Sequence, residues 1–265
     1  MLKVDDLHVT FHAGTPMENR ALQGLSLEIP AGQFVTVIGS NGAGKSTLLN
    51  AVAGDVPADR GRIEIDGRDV TRETAWARAD RVARVFQDPL AGTCEDLTIE
   101  ENLALAHARG TRRGLGRAVR PAMREEFRAR LATLGLGLEQ RLGDRIGLLS
   151  GGQRQAVSLL MAALRPSRIL LLDEHTAALD PRTAEFVLQL TARVVAEFRL
   201  TALMVTHSMR QALKVGARTV MLHQGRVALD ISGAERENME VADLLARFEQ
   251  GKGGDILDDD SLLLG

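Results

Sequence analysis

Nine consecutive residues, Gly39-Ser40-Asn41-Gly42-Ala43-Gly44-Lys45-Ser46-Thr47, have the types and spacing to hold a chain of phosphates. They fit the pattern GxxxxGK[ST], in which glycines let the backbone wrap an anion that side chains would keep at a distance. The loop N–H groups and the N-terminus of a following helix supply fixed positive potential. Lys45 adds a mobile charge for the β- and γ-phosphates, and Ser46 offers an oxygen to Mg²⁺. A glycine turn beside a surface lysine would account for the residue types but not for their setting. The β-rich run Phe34–Ile38 precedes the loop, and a helical pattern over 44–53, with Leu48 and Leu49 facing inward, follows it.

A second set of reactive residues ends the apolar run Ile169-Leu170-Leu171-Leu172-Asp173-Glu174. Ligands of open α/β sheets bind at such strand tips. Asp173 is placed to hold Mg²⁺ or its water. Glu174, one residue further, is placed to polarise an attacking water. A pair of acids at a strand end is often structural when it stands alone. Beside a phosphate loop, both motifs belong to one reaction site.

The elements that must position these residues are legible in outline. Short strands are expected at 2–10, 24–29, 63–65, 81–86, 203–206 and 220–222, with 12–20 as a loop containing Gly14 and Pro16. Residues 95–160 read as mostly helical. Pro121 suits a first helical turn, and Met123, Phe127, Leu131 and Leu134 repeat at helical spacing. Buried strands separated by helices imply a mostly parallel sheet covered on both faces. A short amphipathic helix is expected at 241–248. The stretch 251–265, rich in Asp255, Asp258, Asp259 and Asp260, reads as a mobile acidic tail.

Between these parts stands Leu149-Ser150-Gly151-Gly152-Gln153. Ser150-Gly151-Gly152 alone would serve as a helix cap. Together with GSNGAGKST and ILLLDE, in that order along nearly the whole chain, the motif resembles the ATP-binding subunits of ABC transporters. Gln87 resembles the Q-loop glutamine of that family, Ala178-Leu179-Asp180 its D-loop, and His207 its switch histidine. The resemblance implies a P-loop NTPase of the α/β class, RecA-like, with an N-terminal antiparallel β lobe and an inserted α-helical lobe. It implies one ATPase domain over 1–250, with its core at 1–87 and 161–228 and the helical lobe near 88–160.

The resemblance also assigns roles. ATP and Mg²⁺ are the expected ligands. Residues 39–47 bind the phosphates, and Ser46, Gln87 and Asp173 surround the metal. Lys45, Glu174, Gln87 and His207 serve hydrolysis, with His207 donating to the γ-phosphate or orienting Glu174. Phe11 stands where an aromatic residue stacks on adenine. Ser150, Gly151, Gly152, Gln153 and Asp180 complete the nucleotide site of a second copy, so two chains sandwich two ATP molecules head to tail. His175 departs from the commoner proline after the catalytic Glu and is given no role. The run DEHTAALDP resembles a branch of importer ATPases found beside substrate-binding lipoproteins, some linked to amino-acid uptake.

Composition narrows the partners. The chain has 265 residues, 45% hydrophobic and 26% charged, with net charge −2. That balance lacks the basic excess of a nucleic-acid binder. Cys94 is the only cysteine, so neither an internal disulfide nor a cysteine-built zinc site can form. The N-terminus lacks the apolar stretch of a signal peptide, and no run approaches the ~20 apolar residues of a membrane helix. With 265 residues in the chain, no large C-terminal regulatory domain is expected after His207. Arg109, Arg112, Arg113, Arg117 and Arg120 form a basic stretch read as a solvated face, with anionic lipid headgroups as the alternative. The expected partners are a second copy, integral membrane permease subunits and an extracytoplasmic substrate-binding protein. The expected place is the cytoplasmic face of the membrane, peripherally. The rivals are an ABC ATPase acting on DNA or ribosomes, whose usual long coiled coil or second cassette is not seen, and a small-molecule P-loop kinase, against which LSGGQ argues.

Overall fold

The computed structural model describes residues 1–111, 116 and 118–251. Two compact units are present, one built from Met1–Arg78 and the chain from Arg199 onward, the other from Ala79–Phe198. The first unit opens with β1 (Leu2–Phe11), β2 (Asn19–Ile29), β3 (Phe34–Ile38), α1 (Lys45–Ala53), β4 (Arg60–Ile65), β5 (Arg68–Asp69) and α2 (Ala75–Arg78). The second contains β6 (Val82–Val85), α3 (Ile99–His107), α4 (Pro121–Ala132), α5 (Gly151–Ala163), β7 (Ile169–Asp173) and α6 (Pro181–Glu197). The chain then re-enters the first unit as β8 (Ala202–Val205), α7 (Met209–Lys214), β9 (Arg218–His223), β10 (Arg226–Ser232), α8 (Ala234–Glu237) and α9 (Val241–Gly251).

In the first unit, β2, β1, β4 and β5 form an antiparallel sheet. The inward residues of β1 slip from even to odd numbers: Leu2 and Val4 are buried, then Leu7 and Val9. The register with β2 shifts between Val4 and Leu7, and Asp6 there has φ 46°. An extra residue at such a bulge moves every later side chain to the other face, which keeps the apolar ones inside. In the same unit β3 pairs in parallel with β8 and with β9, and β10 closes that edge antiparallel to β9. All five residues of β3 and all four of β8 are buried. Such continuous burial is what makes parallel strands read as unbroken apolar runs.

The second unit holds one parallel pair, β6 with β7. Pro121 opens α4, and Met123, Phe127, Leu131 and Leu134 are buried as their spacing requires. In α6, Ala184, Val187, Leu188, Thr191, Val194 and Val195 form a single buried stripe at three- and four-residue steps.

Some boundaries differ from those expected. The loop thought to cover 12–20 is cut short, because Asn19 and Arg20 already pair with Phe11 and Thr10. Strand β10 was not foreseen: four of its seven residues are exposed, so no apolar run announces it. Of the basic stretch, Arg112, Arg113 and Arg117 lie outside the described residues, as does the acidic tail beyond Gly251. No helix among the described residues is long and apolar enough to cross a membrane.

Candidate functional site

In the first unit the phosphate loop joins β3 to α1. Gly39 has φ 150°, and a Cβ there would collide with the Leu222 carbonyl oxygen. Only glycine lets the chain turn so close to the neighbouring strand. Lys45 is 5% exposed, and its Nζ donates to the Gly39 and Ser40 carbonyl oxygens at 2.8 and 3.0 Å. The ammonium is therefore held at the mouth of its own loop. Gly44 provides no side-chain cap for α1, and the first turn carries no acid. Neither an N-cap side chain nor a first-turn acid of α1 itself therefore competes for the orphan N–H groups and the positive end of the helix. Asn41, Gly42 and Ser46 are exposed, Ser40 and Thr47 half-buried, and Ala43 buried.

His207 shares an edge with this loop. Val37 of β3 is paired in parallel with Val205 of β8, so Gly39 and His207 each lie two residues beyond the same rung. The Thr206 N–H donates to the Val37 carbonyl at 3.1 Å and carries that pairing past the strand end. Phe11 closes β1 opposite Asn19 and is half-buried. Its ring is not part of the buried core.

In the second unit the same logic places Gln87 and the acids. Val85 of β6 pairs with Leu172 of β7, so Gln87 and Glu174 each lie two residues past that rung. Gln87 is exposed, Asp173 and Glu174 half-buried, and Glu174 has φ 42°. Asp173 Oδ2 accepts from Arg84 Nη2 at 2.6 Å, with the two side chains 15% and 14% exposed. The same guanidinium lies 4.8 Å from the centre of the Phe86 ring. Sequence reasoning missed Arg84. Its signal was an arginine inside a short parallel strand, where apolar residues are the rule.

Ser150 caps α5. Its Oγ accepts from the Gln153 N–H at 3.3 Å, and Gln153 Oε1 accepts from the Ser150 N–H at 3.2 Å. This is a capping box. A hydroxyl that accepts one bond can still donate another, so capping and anion binding are compatible. Gly151 is exposed and Gly152 buried. A Cβ on Gly152 would collide with Thr183 Cγ2 in the first turn of α6. Asp180 caps α6, accepting from the Thr183 N–H at 3.1 Å, and hydrogen bonds from Thr183 hold its carboxyl below the usual aspartate range. Buried Gln155 donates from Nε2 to the Phe86 carbonyl at 3.0 Å. The LSGGQ helix, the chain before Gln87 and the start of α6 are thereby joined within one unit. Gln155 was also missed, since a glutamine in a helix carries no mark of where its amide points.

His175 is 2% exposed, and its Nε2 lies 2.8 Å from Thr191 Oγ1. Burial lowers its pKa from 6.5 to about 4, so the ring is neutral near pH 7. As to metals, no group of three or more His, Cys, Asp or Glu among the described residues could hold an ion. The expected donors Ser46, Gln87 and Asp173 are oxygens, few in number. That set suits Mg²⁺, which keeps waters and takes phosphate oxygens instead of requiring a protein cage.

Comparison with known proteins gives the family and the fold. A family model described as ABC transporter matches residues 22–177. The chain is 42% identical to a tyrosine transport ATP-binding protein of Clostridioides difficile, over 94% of this chain and 99% of that one. It is 35% identical to the methionine import ATP-binding protein MetN of Caulobacter vibrioides, over 97% and 74%. Among solved structures, the dimeric post-hydrolysis state of the ATP-binding cassette MJ0796 bound to ADP and Pi aligns with TM-score 0.72 and 29% identity, covering 88% of this chain and 98% of that one. The α/β P-loop NTPase fold expected from the motifs is the fold of these cassettes.

Proposed function

Because the chain belongs to the ABC transporter family and is an ATPase of that family, we propose that it powers the import of a small solute, an amino acid such as tyrosine in the first instance. The observation that carries this reading is the phosphate loop itself. A glycine that cannot be replaced, a lysine ammonium held at the loop and an uncapped helix start supply a site for the phosphates of ATP. The methionine import relative supports the direction, and the tyrosine transport relative supports the solute class.

In this reading residues 39–47 cradle the phosphates, Phe11 stacks on adenine, and Glu174 polarises the attacking water. Lys45 and the loop amides stabilise charge on the transferring phosphoryl group. Ser46, Gln87 and Asp173 would hold Mg²⁺, which neutralises phosphate charge when bound. Gln87 and His207 sense or orient the γ-phosphate. Ser150, Gly151, Gly152, Gln153 and Asp180 act on the nucleotide of a second copy, in a head-to-tail dimer. One ATPase domain over 1–250 then works on membrane permease subunits at the cytoplasmic face, fed by a substrate-binding protein.

The test is a pair of substitutions in the full chain. Glu174→Gln is expected to bind ATP at wild-type affinity and to lose nearly all hydrolysis, since the amide keeps the shape without the basic carboxylate. Lys45→Ala is expected to lose binding. Near-normal turnover by Glu174→Gln would remove Glu174 from its role.

A further inference from the structure

His175 follows Glu174 directly and takes no part in the chemistry above. A ring buried so completely must be hydrogen-bonded, and its Nε2 meets Thr191 Oγ1 at 2.8 Å. The Thr191 hydroxyl has one proton. That proton goes to the Val187 carbonyl oxygen at 2.8 Å, because a carbonyl can only accept. Thr191 Oγ1 must then accept from His175, so the imidazole carries its proton on Nε2. Thr191 and Val187 are both 0% exposed, and water does not compete for these bonds.

Glu174 needs support from such a contact. Its φ of 42° is a left-handed conformation that non-glycine residues keep only where neighbours over-determine it. On one side, β7 is held by its ladder with β6 as far as Leu172. On the other, the Ala177 N–H donates to the Glu174 carbonyl at 2.8 Å, and His175 reaches into the middle of α6. A proline at this position would restrict φ locally. His175 restricts the same turn by a tether to a helix.

We infer that His175 is a positioning residue for Glu174: its Nε2–H bond to Thr191 ties the turn after β7 to α6 and sets the backbone angle from which the Glu174 carboxylate is presented. This rests on the reading of Glu174 as the group that polarises water. Thr191→Val keeps the shape of the side chain and deletes the acceptor, while Thr191→Ser restores it.

In the full chain, Thr191→Val is expected to lower single-turnover hydrolysis about tenfold or more, the scale of a slightly misplaced reacting group. Its affinity for MgATP, read by calorimetry, should stay within about twofold of wild type, as for a loss felt in the chemical step. Thr191→Ser should recover the rate. Long-range ¹H–¹⁵N spectra of the wild-type imidazole should show the Nε2–H tautomer, a readout that needs neither turnover nor a variant. An Nδ1–H tautomer overturns the inference. So does a Thr191→Val chain that melts earlier yet, while folded, hydrolyses at the wild-type rate, since the bond would then be structural only. Normal hydrolysis by Thr191→Val beside a silent Glu174→Gln removes this inference alone; normal hydrolysis by Glu174→Gln removes the reading beneath it.

Discussion

Single side chains divide here into those that bind and those that hold others in place. Phe11, half-buried at the end of β1, belongs to the first group in the proposed reading. Stacking is made about equally in ground and transition states, so Phe11→Ala should raise KM for ATP with little change in kcat. The expected cost is roughly 1 kcal/mol, the scale of an aromatic contact. Steady-state kinetics decide it, and an unchanged KM with a collapsed kcat would place Phe11 elsewhere. Arg84 belongs to the second group. Its guanidinium occupies one oxygen of Asp173, and both side chains are largely shielded from water. Arg84→Met removes the cation and leaves the carboxylate without it. Loss of a charged hydrogen bond in such a setting should cost about 2 kcal/mol, read as a lower urea midpoint in Mg²⁺-free buffer. A midpoint equal to wild type would mean that the pair contributes nothing.

At the scale of elements, glycine at 152 serves packing as much as any anion. The start of α5 lies so close to α6 that a Cβ on Gly152 would collide with Thr183 Cγ2. Gly152→Ala should therefore destabilise the chain by about 1–3 kcal/mol, the usual cost of overpacking. Thr183→Ser removes the offending methyl and should restore most of that loss in the double variant. Because the two residues touch, their effects should be strongly non-additive. Simple additivity in chemical unfolding would show that the collision is relieved another way. The helix α4 presents the opposite case. Phe127 is fully buried beside His107, with the rings 6.1 Å apart and edge to face. Phe127→Ala should cost about 3–5 kcal/mol through the cavity it leaves.

At the scale of the whole molecule, the prediction concerns two copies. If each nucleotide is held by Lys45 of one chain and Ser150 of the other, neither a Ser150→Arg dimer nor a Lys45→Ala dimer has an intact site. A mixed dimer has one: Lys45 of the first variant faces Ser150 of the second. Mixing the two inactive proteins should then recover hydrolysis that neither shows alone. No recovery, with mixed dimers demonstrated by mass, would argue that Lys45 and Ser150 act within one chain.

Much of the proposed chemistry is argued from local pattern and needs no coordinates. A glycine loop between a β-rich run and a helix, and an apolar run ending in Asp173-Glu174, are short-range features whose meaning lies in their order. Parallel strands buried on both faces are continuous apolar words, so β3, β7 and β8 were legible almost to the residue. Strand β10 was not, because a half-exposed edge strand has no such word. The partner of Asp173, the direction of the Gln155 amide, the closeness of Gly152 to Thr183 and the tether from His175 to Thr191 were also out of reach. Each joins residues far apart in the chain or on different elements, through side-chain directions that only packing selects. Sequence names the groups proposed to meet phosphate; tertiary structure chooses which neighbours hold them still, because that choice is made by contacts between elements and not within them.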